Sequence, residues 1–280
     1  MIVTRFAPSP TGYLHLGHAF AALTAQEAAA GGRFLLRIED LDATRAREEY
    51  VRAIIEDLRW LGLEWHGPVL RQSARLAIYR AALDRLAAQE LLYPCFCTRA
   101  EIAAEIARAA EAHHGPDGPL YPGTCRSLSP NDRATALSSG APYALRLDSG
   151  RAASRLSGLS FEERGEGSGF RPIAVDPLLF GDIVMARKET PASYHLAVVV
   201  DDAEQGVTLV TRGVDLLAAT HAQRVLQTLL GLPAPRYAHH RLILDEAGRK
   251  LSKRDASATL GSSRQQGATA REIRMALAIP

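Results

Sequence analysis

Arg5-Phe6-Ala7-Pro8-Ser9-Pro10-Thr11-Gly12-Tyr13-Leu14-His15-Leu16-Gly17-His18 places two imidazoles, the hydroxyls of Ser9 and Thr11 and an arginine at one chain reversal. Ile2, Val3 and Phe6 read as a short buried strand that Pro8 and Pro10 stop, and the Ala-rich run 19–30 reads as a helix. A strand that hands over to a helix in this way presents unpaired backbone N–H groups and the positive end of the helix dipole, which suits a phosphate. Imidazoles at that point could donate hydrogen bonds to phosphate oxygens as they gain charge. His-Leu-Gly-His alone fits a surface turn almost as well; all fourteen residues together are far more specific. A second reactive stretch, Lys250-Leu251-Ser252-Lys253-Arg254, reads by itself as a solvated basic turn. A third constellation is Cys95-Phe96-Cys97 with Cys125, too few thiols for a four-cysteine zinc site. On residue type alone His113 or His114 would be the missing ligand, and three buried free thiols the alternative.

These groups need elements to hold them. Gly31-Gly32 closes the first helix, and residues 33–40 read as a second strand. Residues 45–61 carry Tyr50, Ile54, Leu58 and Leu61 on one helical face. Ser73 is expected to cap a helix with the stripe Leu76, Tyr79, Leu83 and Leu86. The alternation predicts an α/β fold, a Rossmann-type parallel sheet flanked by helices. The pattern changes near Tyr93, and the irregular stretch to Pro191 is read as an insertion that interrupts the sheet. The expected division is therefore 1–92, the first half of the nucleotide-binding domain; 93–191, the inserted subdomain; and 192–280, the second half. Tyr194 to Asp202 is expected to return as a very apolar strand, residues 207–210 as another, residues 215–230 as a helix ended by Gly231, residues 241–244 as a strand and residues 269–278 as a final helix.

A chain of 280 residues can bury a large core, and a formal charge of +2 confines any nucleic-acid surface to a local patch. The N-terminus has no charged start followed by an apolar run, the longest apolar run is far too short to span a bilayer, and three cysteines make no disulfide framework. The expectation is a cytoplasmic protein with no membrane partner.

Arg-Phe-Ala-Pro-Ser-Pro-Thr-Gly followed by His-Leu-Gly-His resembles the opening of glutamyl-tRNA synthetases, a class I aminoacyl-tRNA synthetase family. Lys250 to Arg254, over two hundred residues downstream, matches that family's second ATP-binding motif. The resemblance implies that glutamate attacks the α-phosphate of ATP, with magnesium accompanying the nucleotide. It implies ATP contacts at His15, Gly17, His18, Lys250 and Lys253, of which His15, His18 and Lys253 would be catalytic. Glutamate would be held by Arg5 through its side-chain carboxylate, Arg212 through its α-carboxylate, Glu39 through its ammonium, and by Ser9 and Tyr194. An Arg5–Glu39 ion pair and a core aromatic at Tyr194 are the plain structural alternatives. The run Tyr121-Pro122-Gly123-Thr124-Cys125 resembles the zinc site of a short relative in which a tyrosine is the fourth ligand, which implies one structural zinc on Cys95, Cys97, Tyr121 and Cys125.

Only 27 residues follow Lys253, too few for the helical anticodon-reading domains of synthetases that charge tRNA(Glu). The chain therefore resembles the truncated glutamyl-Q tRNA(Asp) synthetase family, which esterifies glutamate to queuosine in the anticodon of tRNA(Asp) and is expected to act as a monomer. A minimal enzyme charging a tRNA 3′ end and a non-catalytic binder of tRNA or amino acid are the other readings. Arg146, Arg151, Arg155, Arg164, Arg171, Arg187, Arg249 and Arg254 are candidate phosphate contacts, or merely solubilising surface.

Overall fold

The computed structural model describes residues 1–108, 113–165, 169–187, 189–244 and 259–278. In chain order the first part forms β1 (Val3–Phe6), α1 (Leu16–Ala28), β2 (Arg33–Ile38), α2 (Glu48–Trp60), β3 (Leu70–Arg71) and α3 (Leu76–Ala88). Next come β4 (Leu92–Cys95), α4 (Arg99–Arg108), a small ribbon of β5 (His114–Gly115) and β6 (Gly118–Pro119), α5 (Pro130–Ser138), β7 (Ala144–Leu147), α6 (Ser149–Ala153), β8 (Ser160–Glu163), β9 (Arg171–Ala174) and β10 (Val184–Ala186). The last part is α7 (Tyr194–Glu204), β11 (Leu209–Gly213), α8 (Ala219–Leu229), β12 (Arg236–His240), α9 (Leu260–Gln265) and α10 (Ala270–Ala276).

β1, β2 and β3 run parallel, with Val3 opposite Arg33 and Arg37 opposite Leu70. β11 and β12 are also parallel, and β8 joins β12 through Tyr237 and Glu163. The two sheets meet edge to edge: the Val3 N–H donates to Thr208 Oγ1 at 2.9 Å, and the Thr208 N–H donates to Val3 O at 3.0 Å. Helices cover this α/β arrangement, as helices must where parallel strands carry apolar residues on both faces. β8 and β9 lie between residues 93 and 191 in sequence yet sit beside β12, whereas β4, β7 and β10 form a separate antiparallel sheet.

The run Tyr194–Asp202 is a helix and not the expected strand. Leu196 to Val200 are all buried, so the helix is apolar on every side, and a short apolar run of that kind has no period that separates strand from buried helix. Its start is marked by Ser193, whose hydroxyl accepts from the Leu196 N–H at 3.3 Å. The strand expected at 241–244 lies earlier, at Arg236–His240, because it pairs residue for residue with β11 and ends where β11 ends. Ser73 does not cap α3; it lies in a 3₁₀ turn, and its N–H and hydroxyl each donate to Asp40 at 2.8 Å. α9 was not expected, and no helix among the described residues is long and apolar enough to cross a membrane.

α9 is held to the first half of the chain at both ends. The Leu260 N–H donates to Leu14 O at 2.8 Å, while Arg264 reaches Glu56 at 3.0 Å and the buried Asp57 of α2 at 3.9 Å. Burial, only partly offset by Arg264, pushes the Asp57 carboxyl up to about 6. The folded chain thus binds the extra proton between about pH 4 and pH 6, and stability falls as pH rises through that window. Asp57→Asn is expected to raise stability at pH 7.5 by on the order of 1–2 kcal/mol, with the gain vanishing near pH 4. Urea denaturation of both proteins across that range measures it.

Candidate active site

A cavity of about 450 Å³ opens at the carboxyl ends of β1, β11 and β12 and at the N-terminus of α1. Open α/β sheets bind ligands at this end of their strands. Arg5, Ser9, His15, Gly17, His18, Glu39, Tyr194 and Arg212, which lie far apart in sequence, all line it. Lys250 and Lys253, together with Arg249 and Arg254, lie outside the described residues.

At the helix end, His15 is itself the N-cap. Its Nδ1 accepts from the Gly17 N–H at 3.1 Å, and His18 Nδ1 accepts from the His15 N–H at 3.2 Å. With Nδ1 used as an acceptor in both rings, each neutral imidazole carries its proton on Nε2. The ring centroids are 3.8 Å apart. A Cβ at Gly17 would lie 3.0 Å from His15 Cε1, so glycine leaves the space in which the His15 ring caps the helix. Two N–H donors at a helix N-terminus make a place for anionic oxygens.

On the opposite wall, the charges are held by partners from distant parts of the chain. Asp202, on α7, accepts from Arg5 Nε at 3.0 Å and from Arg37 at 2.7 Å. Arg37 also reaches Glu39 at 3.4 Å and Gln205 at 3.0 Å. Arg5 is thus paired with Asp202 and Glu39 with Arg37, in place of a direct Arg5–Glu39 pair. Burial pushes the Glu39 carboxyl above its usual range, although Arg37 and Arg5 pull the other way. For Asp202 burial is outweighed by the two guanidinium groups, and its carboxyl stays low.

Arg212, the fourth residue of β11, is equally constrained. Its guanidinium donates to His239 Nε2 at 3.0 Å, Gln223 at 2.8 Å, Thr220 at 2.7 Å and the Tyr194 hydroxyl at 3.4 Å. His239 must therefore carry its proton on Nδ1, which donates to Glu163 at 2.7 Å. Burial holds the His239 imidazole below its ordinary value, and so does Arg212, while Glu163 acts against both. The neutral ring can then accept from a cation without repelling it. Tyr194, the residue directly after the N-cap Ser193, opens the helix that also carries Asp202, not a strand.

Arg37, Asp202, Glu163, His239, Thr220 and Gln223 were not singled out from sequence. An arginine inside the apolar run Phe34–Ile38 and two acids closing Leu196–Val200 were the available signals.

The thiol constellation also assembles. Cys95, Cys97 and Cys125 have their sulfurs within 4.8 Å of one another, while His113 and His114 are not in the cluster. Cys97 Sγ is 3.5 Å from the Tyr121 hydroxyl, which accepts from the Cys125 N–H at 2.9 Å. Burial, reinforced by the neighbouring thiols, pushes Cys97 up to about 12. Three soft sulfurs and a phenol oxygen converging on one point fit a tetrahedral zinc donor set. The guanidinium of Arg146 lies 3.9 Å over the Tyr121 ring.

Several arginines considered for nucleic acid are engaged within the protein. Arg146 donates to Asp182 O at 2.7 Å, Arg151 pairs with Glu90 at 2.9 Å, Arg155 donates to Gln89 O at 2.7 Å and Arg164 lies 5.3 Å over Phe170.

A family model described as tRNA synthetases class I (E and Q), catalytic domain, matches residues 1–277. The chain is similar to a Rhodobacter capsulatus protein named Glutamyl-Q tRNA(Asp) synthetase, with 50% identity over 98% of either chain. It is 46% identical to a Nocardia farcinica protein of the same name, over 96% of this chain and 81% of that one. Among solved structures, a glutamate tRNA ligase from Elizabethkingia meningosepticum in complex with its amino acid has a TM-score of 0.74 at 29% identity. That match covers 95% of this chain and 53% of the ligase, so the chain spans about half the ligase's length.

Asp202→Asn removes a carboxylate that is hydrogen-bonded to two buried guanidinium groups. It is expected to cost about 3–5 kcal/mol of folding free energy, the usual penalty for breaking a buried pair from one side. Urea denaturation at neutral pH measures this, and a change below about 1 kcal/mol would show that the pair is dispensable.

Proposed function

The chain belongs to the class I tRNA synthetase family of the E and Q type, and from that premise we propose that it activates L-glutamate with ATP and transfers it to queuosine in the anticodon of tRNA(Asp). The observation that carries this reading is the similarity to the R. capsulatus glutamyl-Q tRNA(Asp) synthetase, which extends along nearly the whole of both chains.

The cavity's chemistry supports it. Glutamate brings two carboxylates and an ammonium; of the charged residues lining the cavity, Arg5, Arg212 and Arg241 offer guanidinium groups and Glu39 and Asp215 carboxyls. In the proposed arrangement Arg5 takes the side-chain carboxylate, Arg212 the α-carboxylate and Glu39 the ammonium, with Ser9 and Tyr194 completing the contacts. Both arginines are held by several internal partners, so little side-chain freedom is lost on binding. An ammonium beside Glu39 would return its carboxyl toward the ionised form.

His15 and His18 are proposed to donate from Nε2 to the triphosphate at the α1 N-terminus, with Lys253 and Lys250 neutralising the departing pyrophosphate and magnesium accompanying the ATP. A glutamate α-carboxylate oxygen bonds to the α-phosphorus, the bond from that phosphorus to the bridging oxygen breaks, and pyrophosphate leaves. A hydroxyl of the queuosine cyclopentenediol then attacks the acyl carbon, and AMP leaves as the ester forms. Neither step uses a covalent enzyme intermediate; the protein positions the groups and stabilises charge.

Cys95, Cys97, Tyr121 and Cys125 are proposed to hold one structural zinc, which would pin a region whose local apolar cluster is small. Protein purified without chelators is expected to contain one zinc per chain by elemental analysis. Cys125→Ser should lose the zinc and lower the melting temperature by several degrees; wild-type protein without zinc would rule the site out.

Labelled glutamate, offered with ATP to purified tRNA(Asp) with and without queuosine and to tRNA(Glu), tests the function. Label is expected only on the queuosine-containing tRNA(Asp). Label on tRNA(Glu) would make the chain a compact charging enzyme, and no label on any tRNA despite bound ATP would make it a non-catalytic binder.

A further inference from the structure

A second concavity, of about 750 Å³, lies between α3 and the β7–β10 ribbon and shares no lining residue with the cavity described above. Its lining is apolar at Leu76, Leu83 and Leu145, and basic at Arg80 and Arg187, with no acidic residue. Leu76 and Tyr143 are each 42% exposed there. The Tyr143 ring is backed by Phe96, with centroids 5.7 Å apart, and Phe96 sits between Cys95 and Cys97. The contact is tilted, at an interplanar angle of 60°, and joins the exposed ring to a residue packed against the thiol cluster. Arg187 is exposed and enters no ion pair among the described residues, and Arg80 makes only an exposed pair with Asp84 at 3.2 Å.

An exposed aromatic plate, an apolar floor and guanidinium groups at the rim are the combination that binds single-stranded nucleic acid, through base stacking and phosphate contact. Resting on the reading of tRNA as the substrate, we infer that this groove takes an unpaired base of the tRNA, stacked on Tyr143, with the flanking phosphates against Arg187 and Arg80. The place suits that role. Pro191 lines the groove and Tyr194 lines the catalytic cavity, so three residues of chain, at most about 11 Å, connect the two openings. A second copy of the chain docking here through a two-fold axis would set the same arginines against each other. A polyanion meets them with opposite charge.

The test compares wild type with Tyr143→Ala, Tyr143→Phe and Arg187→Ala. Filter binding of queuosine-bearing tRNA(Asp) at several salt concentrations gives affinity, and ATP–pyrophosphate exchange without tRNA together with thermal unfolding gives the state of the rest of the protein. Tyr143→Ala is expected to weaken tRNA binding about tenfold, the loss of one stacked base, while Tyr143→Phe stays within about twofold of wild type. Arg187→Ala should weaken binding and reduce the salt slope by about one. Exchange and melting temperature should not move in any variant. Wild-type affinity in both Tyr143→Ala and Arg187→Ala would overturn the inference, as would a loss of exchange that parallels the loss of binding, or a concentration-dependent dimer abolished by Tyr143→Ala. If wild type binds tRNA(Asp) without ever labelling it, the transfer reading fails and these affinities still decide the groove. If wild type binds no tRNA, both fail.

Discussion

The carboxylate of Asp202 sits between two buried guanidinium groups, and the active-site wall depends on that arrangement. Arg5 comes from β1, Arg37 from β2 and Asp202 from α7, so one anion ties the first segment of the sheet to a helix almost two hundred residues later. Arg37 is fully buried, and burial alone would work against its charge; Asp202, Glu39 and Asp201 together more than reverse that. Buried charges of this kind are tolerated only when paired and hydrogen-bonded. The network orients Arg5 toward the cavity while its neutralising partners stay behind it.

A second chain of contacts does the same for Arg212 by different means. Glu163 fixes the proton of His239 on Nδ1, and the freed Nε2 accepts from Arg212. Thr220 and Gln223 from α8 and Tyr194 from α7 complete the cradle with neutral groups. Unlike Arg5, Arg212 lines the cavity with no directly bonded carboxylate among the described residues. Glu163 belongs to β8, which explains why a strand from the middle of the chain has to join the sheet of β11 and β12.

The thiol cluster has a comparable local logic. Cys95 ends β4, Cys97 follows, and Cys125 lies in a 3₁₀ turn that packs Tyr121 over the same point. Nearby, the buried Asp182 accepts hydrogen bonds from Tyr93, Arg126 and Ser149. Polar and sulfur contacts thus hold the part of the middle region around the cysteines, where the apolar cluster is small. Phe96 extends that order to the exposed Tyr143 ring.

The sequence by itself determined the α/β class and the strand–turn–helix start with His15 and His18, because local spacing carries that information, while Arg5, Ser9, Glu39, Tyr194 and Arg212 were named through the family resemblance, and all five line the cavity. The same resemblance pointed to Tyr121, where residue type alone favoured His113 or His114, and the described geometry brings Tyr121 to the thiols and not the histidines. What it did not determine was the conformation of Tyr194–Asp202, since a run buried on all sides has no period, nor the position of β12, which is set by pairing with β11. Nor could it reveal the partners of Arg5 and Arg212. Those are contacts between segments remote in sequence, and only tertiary packing decides which buried charge lies beside which.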